Sequence, residues 1–372
     1  MTSVETTTAV HLRGIDHLEW WVGNARAFTA FLVSAFGFAP IAHAGPETGR
    51  RDRVSYVVEQ GDIRFMVTGA LHPDSPVAEH VRNHGDGVRD IAFVVDDVDE
   101  AYRAACAHGA LPARPPVDDV DPLDHGCIRH AAVATYGETV HTFLDRSRYD
   151  GPFAPQFEPS ALVVPSGPPV GLDAVDHVVA NVDKGTLRDW VAYYRHAFGF
   201  EELVHFSDDA ISTEYSALMS TVVWNGDGIV LPINEPADGR RKSQIEEYLD
   251  YYGTPGVQHI ALRTDDIVTT VAALRERGVR FLDVPPSYYA DARRRLGALG
   301  RDLPWDELAA LGILVDRDHG GYLLQIFTEC VTDRPTVFVE IIQREGARGF
   351  GEGNFKALFE AIEREQARRG NL

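Results

Sequence analysis

Apolar and polar residues follow two periods along the chain, and these periods predict strands and helices respectively. Alternation over residues 53–59 and 63–67 is typical of half-buried strands. Elsewhere apolar residues recur every three or four positions, which is typical of one face of a helix. The helical positions are Val98, Ala101, Tyr102, Ala105 and Cys106 in one stretch, and Ile267, Val271 and Leu274 in another. This mixture predicts α+β modules with curved mixed sheets.

Four landmarks occur twice along the chain, in the same order. Residues 14–18 are echoed by 174–178, 34–38 by 196–200, and 87–92 by 256–261, and an Asp-Asp pair follows at 96–97 and at 265–266. Similarity in both sequence and order predicts an internal duplication. We therefore expect two βαβββ-type modules in tandem.

The predicted domains are an N-terminal domain of residues 1–151, without a metal site, and a C-terminal catalytic domain of residues 171–372. Residues 152–170 form a linker rich in proline, serine and glycine. The apolar pattern also predicts a C-terminal helix from Phe355 to Arg369, with Asn354 as its N-cap and Gly370 as its stop. Two domains suit a chain of 372 residues, since a domain commonly has about 150.

The composition argues against several classes of protein. A formal net charge of −21 opposes nucleic-acid binding, because no Lys/Arg-rich stripe offsets it. Cys106, Cys127 and Cys330 are far apart and predict neither a disulfide framework nor a cysteine zinc site. The first residues lack the features of a signal peptide, and no stretch approaches about 18 apolar residues. We expect a cytoplasmic protein that binds no membrane.

The two copies differ at positions where metal chemistry is expected. His259 of the second copy stands where the first copy has Asp90. Glu340 lies in an apolar, strand-like run, and its counterpart in the first copy is Thr142 or Phe143. Two histidines and a carboxylate are therefore complete only in the second copy. This set is His177, His259 and Glu340, whereas the first copy keeps only His17, for which we expect a structural hydrogen bond.

Burial of Glu340 among apolar neighbours is costly unless a partner neutralises its charge. A metal ion or a buried arginine would serve, and the residues alone leave both open. Two imidazoles and one carboxylate fill three corners of an octahedron and leave three open, which suits Fe(II) with a bidentate substrate and O₂. Zinc or manganese could occupy the same set, because affinity alone does not select iron.

Several long segments carry a resemblance to a known family. They are residues 231–236, 242–249, 256–262, 321–328, 333–344 and 349–366. On these segments the chain resembles the 4-hydroxyphenylpyruvate dioxygenases, which have the glyoxalase-like vicinal oxygen chelate fold, over nearly its whole length. The resemblance implies Fe(II) bound by His177, His259 and Glu340, with O₂ as co-substrate. It also implies conversion of an aryl pyruvate, 4-hydroxyphenylpyruvate, to homogentisate and CO₂, as in tyrosine catabolism.

The resemblance further implies which residues contact the substrate. They are Ser220, Asn234, Gln244, Gln258, Gln325, Phe327, Phe338, Phe355 and Phe359. Gln244 and Gln325 are also implied in catalysis, and the C-terminal helix is implied as a lid. Strand alternation places Gln325 and Phe327 on one face, and it places Gln258 on the face opposite to His259.

Alternatives to these interpretations stay open at this point. A hydroxymandelate synthase would use the same iron and substrate but hydroxylate the benzylic carbon, although Pro232 and Asn234 favour ring hydroxylation. A non-catalytic protein of this fold would only bind metal or small molecules. Gln244 could belong to a surface helix, and Phe355 and Phe359 could be ordinary packing residues. We expect a homo-oligomer, either a dimer or a tetramer.

Overall fold

Two mixed β-sheets, one from each half of the chain, organise the fold. The computed structural model describes residues 10–206, 217–318 and 320–371. The first half contains β1 (Leu12–Val22), α1 (Ala25–Phe36), β2 (Ala39–Ala44), β3 (Arg53–Gln60), β4 (Ile63–Ala70), α2 (Pro76–His84), β5 (Gly87–Val95), α3 (Val98–Ala107), β6 (Leu111–Val120), β7 (Cys127–Ala134), β8 (Val140–Asp145) and β9 (Glu158–Pro159).

The second half repeats this succession and adds helices. It contains β10 (Leu172–Asn181), α4 (Leu187–Phe198), β11 (Glu201–Phe206), β12 (Ala217–Trp224), β13 (Val230–Ala237), α5 (Gln244–Tyr252), β14 (Gly256–Thr264), α6 (Ile267–Glu276), α7 (Pro286–Leu296), α8 (Trp305–Leu311), β15 (Leu314–Asp318), β16 (Gly321–Phe327), β17 (Phe338–Glu345) and α9 (Glu352–Arg369). Helices α7 and α8 lie where the first half passes directly from α3 to β6. Within the described ranges, no helix is long and apolar enough to cross a membrane.

The two sheets share one strand order. The first runs β6-β7-β8-β5-β1-β4-β3-β2, with β9 added at its edge, and the second runs β15-β16-β17-β14-β10-β13-β12-β11. Strands β1 and β4 pair in parallel, as do β5 and β8, and the equivalent pairs β10–β13 and β14–β17 are also parallel. The remaining pairs described are antiparallel. The predicted α+β fold of two duplicated modules with a C-terminal helix is confirmed.

Equivalent helices begin and end with the same chemistry in both halves. The carboxylate of Asp97 accepts from a backbone N–H in the first turn of α3, and Asp266 does the same for α6. Gly37 and Gly199 end α1 and α4 in the left-handed conformation, with φ of 75° and 72°. The duplication is therefore visible in the ends of the elements as well as in their order.

Helix α9 begins at Glu352, three residues before the predicted start, and the prediction of Asn354 as its N-cap is wrong. Asp316 of β15 accepts from the backbone N–H of Gly353 at 2.6 Å and from that of Asn354 at 3.3 Å. This carboxylate satisfies helix N–H groups that a cap residue would otherwise bond. The predicted glycine stop does end the helix, with φ of 74°.

A buried polar pair joins the two halves within their shared hydrophobic core. The hydroxyl of Tyr194 in α4 lies 2.7 Å from Nε2 of His141 in β8. Nδ1 of His141 faces the carbonyl oxygen of Ile91 at 3.3 Å, so Nδ1 carries the proton and Nε2 accepts from the tyrosine. Burial lowers the pKa of His141 to about 4, which keeps the ring neutral.

We predict that Tyr194→Phe destabilises the protein, because it leaves Nε2 of His141 buried without a donor. The free energy of unfolding should fall by roughly 1–3 kcal/mol, the cost of an unpaired buried group. Urea unfolding measures the change. Tyr251→Phe is the matched control, since the Tyr251 side chain is 42% exposed. An equal shift for both variants would contradict the prediction.

Candidate metal centre

Three neighbouring strands of the second sheet bring the predicted ligands together. His177 lies on β10, His259 on β14 and Glu340 on β17. His177 and Glu340 both pair with Ala261 of the central strand, one from each side. Nε2 of His177 and Nε2 of His259 lie 3.2 Å and 3.4 Å from Oε2 of Glu340. All three side chains are buried.

These separations are those of atoms that share one metal ion. Ligand atoms about 2.1 Å from an ion lie roughly 3.0–3.4 Å apart when they are adjacent in octahedral or tetrahedral coordination. The donor set of two imidazoles and a carboxylate suits a divalent transition metal. The alternative partner, a buried arginine, does not serve here, because Arg344 is bonded to Asp176. The geometry thus favours a metal ion as the partner of Glu340.

Glu340 and His177 stabilise each other's charged forms, and this coupling bears on how the centre would take up a cation. Burial alone would raise the pKa of Glu340, but attraction to His177 lowers it to about 2. Burial alone would lower the pKa of His177, but Glu340 and Asp176 raise it to about 9. A proton on His177 therefore neutralises the buried carboxylate when no metal is bound. A divalent ion would replace this proton, so metal binding and proton release are coupled.

Asp176 and Arg344 hold His177 in the orientation that a metal requires. Nδ1 of His177 donates to Asp176 at 2.7 Å, and Arg344 donates two hydrogen bonds of 2.7 Å to the same carboxylate. Adjacent residues of a regular strand point to opposite faces, but the register of β10 against β14 shifts between Val175 and His177. This shift at Asp176 brings both side chains to one side and leaves Nε2 facing the centre.

A second register shift corrects the prediction for Gln258. Val179 pairs with His259, whereas the next residue, Ala180, pairs with Val257, so Gln258 is the additional residue on β14. Its Oε1 accepts from Nδ1 of His259 at 2.9 Å. The expectation that Gln258 and His259 point to opposite faces is therefore wrong, because the bulge interrupts the alternation.

Gln325 links Glu340 to the C-terminal helix. Its Nε2 donates to Oε1 of Glu340 at 2.8 Å, and its Oε1 accepts from Nδ2 of Asn354 on α9 at 2.8 Å. Oδ1 of Asn354 in turn accepts from the hydroxyl of Tyr288 at 2.5 Å. One oxygen of Glu340 is thus occupied by Gln325, while the other faces both histidines.

Cavities next to the ligand atoms bring most of the predicted residues together. One cavity is lined by the three ligands, and a larger one is lined by Phe338, which stacks on the ring of His259. The smaller cavity is lined by the predicted Asn234, Gln325 and Phe327 and by the unpredicted Val179, Phe350 and Leu358. The larger cavity is lined by the predicted Gln244, Gln258 and Phe338. Phe350 contacts His177 edge-on, with 5.0 Å between ring centroids.

Two predicted contact residues have other positions, and the side chain of a third is not described. Ser220 is buried on β12 and pairs with Asn234 of β13, so it lies one strand from the smaller cavity. Phe359 packs against Leu218 and Ile245 in a hydrophobic cluster. The side chain of Phe355 lies outside the described residues. Direct contacts of these residues with a substrate stay predictions.

The fold and this centre agree with a known class of protein. The sequence matches the family described as Glyoxalase/Bleomycin resistance protein/Dioxygenase superfamily over residues 14–146 and 174–326, which correspond to the two modules. The chain is therefore a member of this superfamily, and its second half holds a histidine and glutamate group that could bind a metal.

Comparison with individual proteins defines the family more closely. A 4-hydroxyphenylpyruvate dioxygenase of Yarrowia lipolytica is 46% identical over 386 residues, which covers 100% of this chain and 97% of the relative. One from Dictyostelium discoideum is 46% identical and covers 97% and 100%. A solved mutant of 4-hydroxymandelate synthase from Streptomyces coelicolor is 37% identical, with a TM-score of 0.84, and covers 95% and 99%. The chain belongs to the 4-hydroxyphenylpyruvate dioxygenase family.

We predict that Asp176→Asn weakens divalent metal binding by about 10–100-fold, because His177 loses the charged acceptor that orients it. Anaerobic calorimetric titration of the metal-free protein with Fe(II) measures the affinity. Asp173→Asn is the matched control, since Asp173 pairs with Arg263 at the surface and should leave the affinity unchanged. Undiminished metal binding by Asp176→Asn would show that the charged acceptor for His177 is not needed.

Proposed function

We propose that this chain is an Fe(II)-dependent dioxygenase that converts 4-hydroxyphenylpyruvate and O₂ to homogentisate and CO₂. The observation that carries the proposal is the buried set of His177, His259 and Glu340 on the wall of a cavity. When bound, Fe(II) supplies open coordination positions at which an α-keto acid and O₂ can meet. Full-length relatives that bear the dioxygenase name, at 44–46% identity, support the choice of substrate.

The charge of the centre explains how an acidic protein can bind an anionic substrate. Glu340 contributes one negative charge, and the two imidazoles contribute none when they ligate a metal. With a divalent ion the centre has a formal charge of +1, which attracts the carboxylate of an aryl pyruvate despite the net charge of −21. The substrate carboxylate then neutralises the centre.

Unpaired polar atoms support a polar group at the far end of the substrate. Oγ of Ser220, Oδ1 of Asn234 and Oε1 of Gln244 are buried and have no hydrogen-bond partner in the described part of the chain. Each such atom costs roughly 1–3 kcal/mol unless it is satisfied. A ring hydroxyl could satisfy one or more of them. Phe327 and Phe338 lie 6.2 Å apart and nearly perpendicular, and they supply aromatic walls for the ring.

Helix α9 is placed to exclude water from the reaction. Near its start Asn354 is bonded to Gln325, and at its end Arg369 is paired with Glu247 of α5 at 2.6 Å. Between these two attachments, Leu358 lines the smaller cavity. A helix held at both ends closes the site over a bound substrate and keeps the reacting groups in place.

The product tests the proposed reaction directly. We expect protein loaded with Fe(II) under anaerobic conditions to consume O₂ when 4-hydroxyphenylpyruvate is added, and to release homogentisate and CO₂ in equal amounts. Glu340→Gln removes the ligand charge and should abolish O₂ uptake. Mass spectrometry and NMR identify the product. Hydroxymandelate as the main product would contradict ring hydroxylation, and an absence of O₂ uptake would favour a binding protein.

We predict that Asn234→Leu weakens use of the substrate, because it removes one of the unpaired polar groups at similar volume. A loss of roughly 1–3 kcal/mol corresponds to a fall of about 5–150-fold in kcat/KM. Steady-state O₂ consumption measures the effect, with iron content measured in parallel. Asn83→Leu, at an exposed position of α2, is the control. An unchanged kcat/KM for Asn234→Leu would exclude a substrate contact there.

A further inference from the structure

A second group of potential metal ligands lies in the first half of the chain, for which the sequence predicts no metal site. His80, His84 and Glu138 offer ligand atoms that all lie within 4.8 Å of one another. The histidines are four residues apart on α2, which places them on one face of the helix, and Glu138 lies in the turn between β7 and β8. His80 and His84 are 1% and 3% exposed, whereas the side chain of Glu138 is 40% exposed.

The hydrogen bond at Nδ1 of His84 leaves the lone pair of the neutral ring on Nε2. Nδ1 of His84 lies 2.6 Å from the carbonyl oxygen of Tyr252. A carbonyl can only accept, so Nδ1 carries the proton and Nε2 of the neutral ring has a lone pair. Oε1 of Glu138 lies 3.1 Å from this Nε2 and is also an acceptor. Two acceptors this close repel each other unless a proton or a metal cation lies between them.

A simple ion pair does not account for this contact. If His84 were an imidazolium, its Nε2–H would point at the carboxylate of Glu138. Although the atoms are close, they are not aligned for a hydrogen bond, and Nε2 of His84 has no hydrogen-bond partner among the described residues. Nδ1 of His80 donates a hydrogen bond to the other carboxylate oxygen of Glu138 at 2.9 Å, and a metal ion would replace that proton. Glu138 therefore presents one oxygen to each imidazole.

This group repeats the construction of the candidate metal centre. There, Nε2 of His177 lies 3.2 Å from a carboxylate oxygen and Nδ1 donates to a fixed acceptor. Here, the corresponding distance from His84 is 3.1 Å, and the fixed acceptor is a backbone carbonyl. In a metal-binding histidine, the ring nitrogen that does not bind the metal usually donates its N–H to such an acceptor.

We propose that His80, His84 and Glu138 bind a divalent metal ion of the zinc class, at a site separate from the iron centre. Two imidazoles and a carboxylate are ordinary zinc ligands, and such sites bind zinc more tightly than Fe(II). The exposure of Glu138 leaves room for a water molecule as a fourth ligand. The guanidinium of Arg89 lies over Trp21 at 4.9 Å and adds a positive charge near His80. Because this charge repels a cation, metal binding depends on the negative charge of Glu138.

The position of the site indicates what the ion would do. Tyr252, which orients His84, ends α5 of the second half. Gly137, beside Glu138, packs so closely on the second half that a Cβ there would lie 2.0 Å from the carbonyl oxygen of Pro255. An ion held by α2 and the β7–β8 turn would therefore fix two segments of the first half that both contact the second. Its role is structural: it holds in place the part of the first half on which the second half packs.

Zinc titration of the metal-free, full-length chain tests the proposal. We expect two equivalents for the wild type by calorimetry, one at each site. Glu138→Gln alters a half-exposed side chain, so the fold should be retained, and it should weaken one equivalent about tenfold or more. Glu340→Gln should weaken the other equivalent, and the double variant should bind both equivalents weakly. Circular dichroism checks that each variant is folded.

Matched measurements separate this site from surface binding and from the iron centre. His72→Gln, at a side chain 62% exposed just before α2, should still bind two equivalents. In the Glu340→Gln background, zinc should raise the thermal unfolding midpoint, and adding Glu138→Gln should remove that increase. A single wild-type equivalent that is lost in Glu340→Gln, full binding by Glu138→Gln, or an equal loss in His72→Gln would overturn the proposal. None of these outcomes bears on the dioxygenase reaction.

Discussion

The negative charge of Glu340 in an apolar strand is the constraint on which the second sheet depends. Its neighbours Val339 and Ile341 pack in the hydrophobic core, while the carboxylate points to the other face. One of its oxygens is bonded to Gln325 and the other faces two imidazoles. Burying a carboxylate in this way is unfavourable unless positive charge lies beside it. The strand order places β10, β14 and β17 side by side, so that His177 and His259 lie next to Glu340 and can share a cation with it.

The first half shows what becomes of the same architecture when the constraint is removed. Asp16, His17 and Arg146 form the same hydrogen-bonded chain that supports a ligand in the second half. At the two remaining ligand positions, however, the backbone N–H and hydroxyl of Thr142 both donate to Asp90. Burial raises the pKa of Asp90, which favours its neutral form. The first half therefore satisfies its carboxyl group internally at the place where the second half presents ligands.

The sequence was sufficient for the fold and for the three side chains that meet at the candidate centre, because duplication shows where two copies of one module differ. It was not sufficient for side-chain directions near the centre. Single-residue register shifts at Asp176 and Gln258 reverse the expected faces, and no hydrophobic pattern marks them. Asn354 resembles a helix cap in sequence, but its side-chain amide donates to Gln325, a residue distant in the chain. Phe350 had a usable signal, since it is an aromatic residue between two glycines.

The most direct test of the central claim is anomalous diffraction at the iron absorption edge, from crystals of Fe(II)-loaded protein. We expect an iron peak about 2 Å from Nε2 of His177, Nε2 of His259 and Oε2 of Glu340. Such a peak would show that a cation compensates the buried carboxylate. An iron peak elsewhere, or a Glu340 side chain turned away from both imidazoles, would contradict the claim.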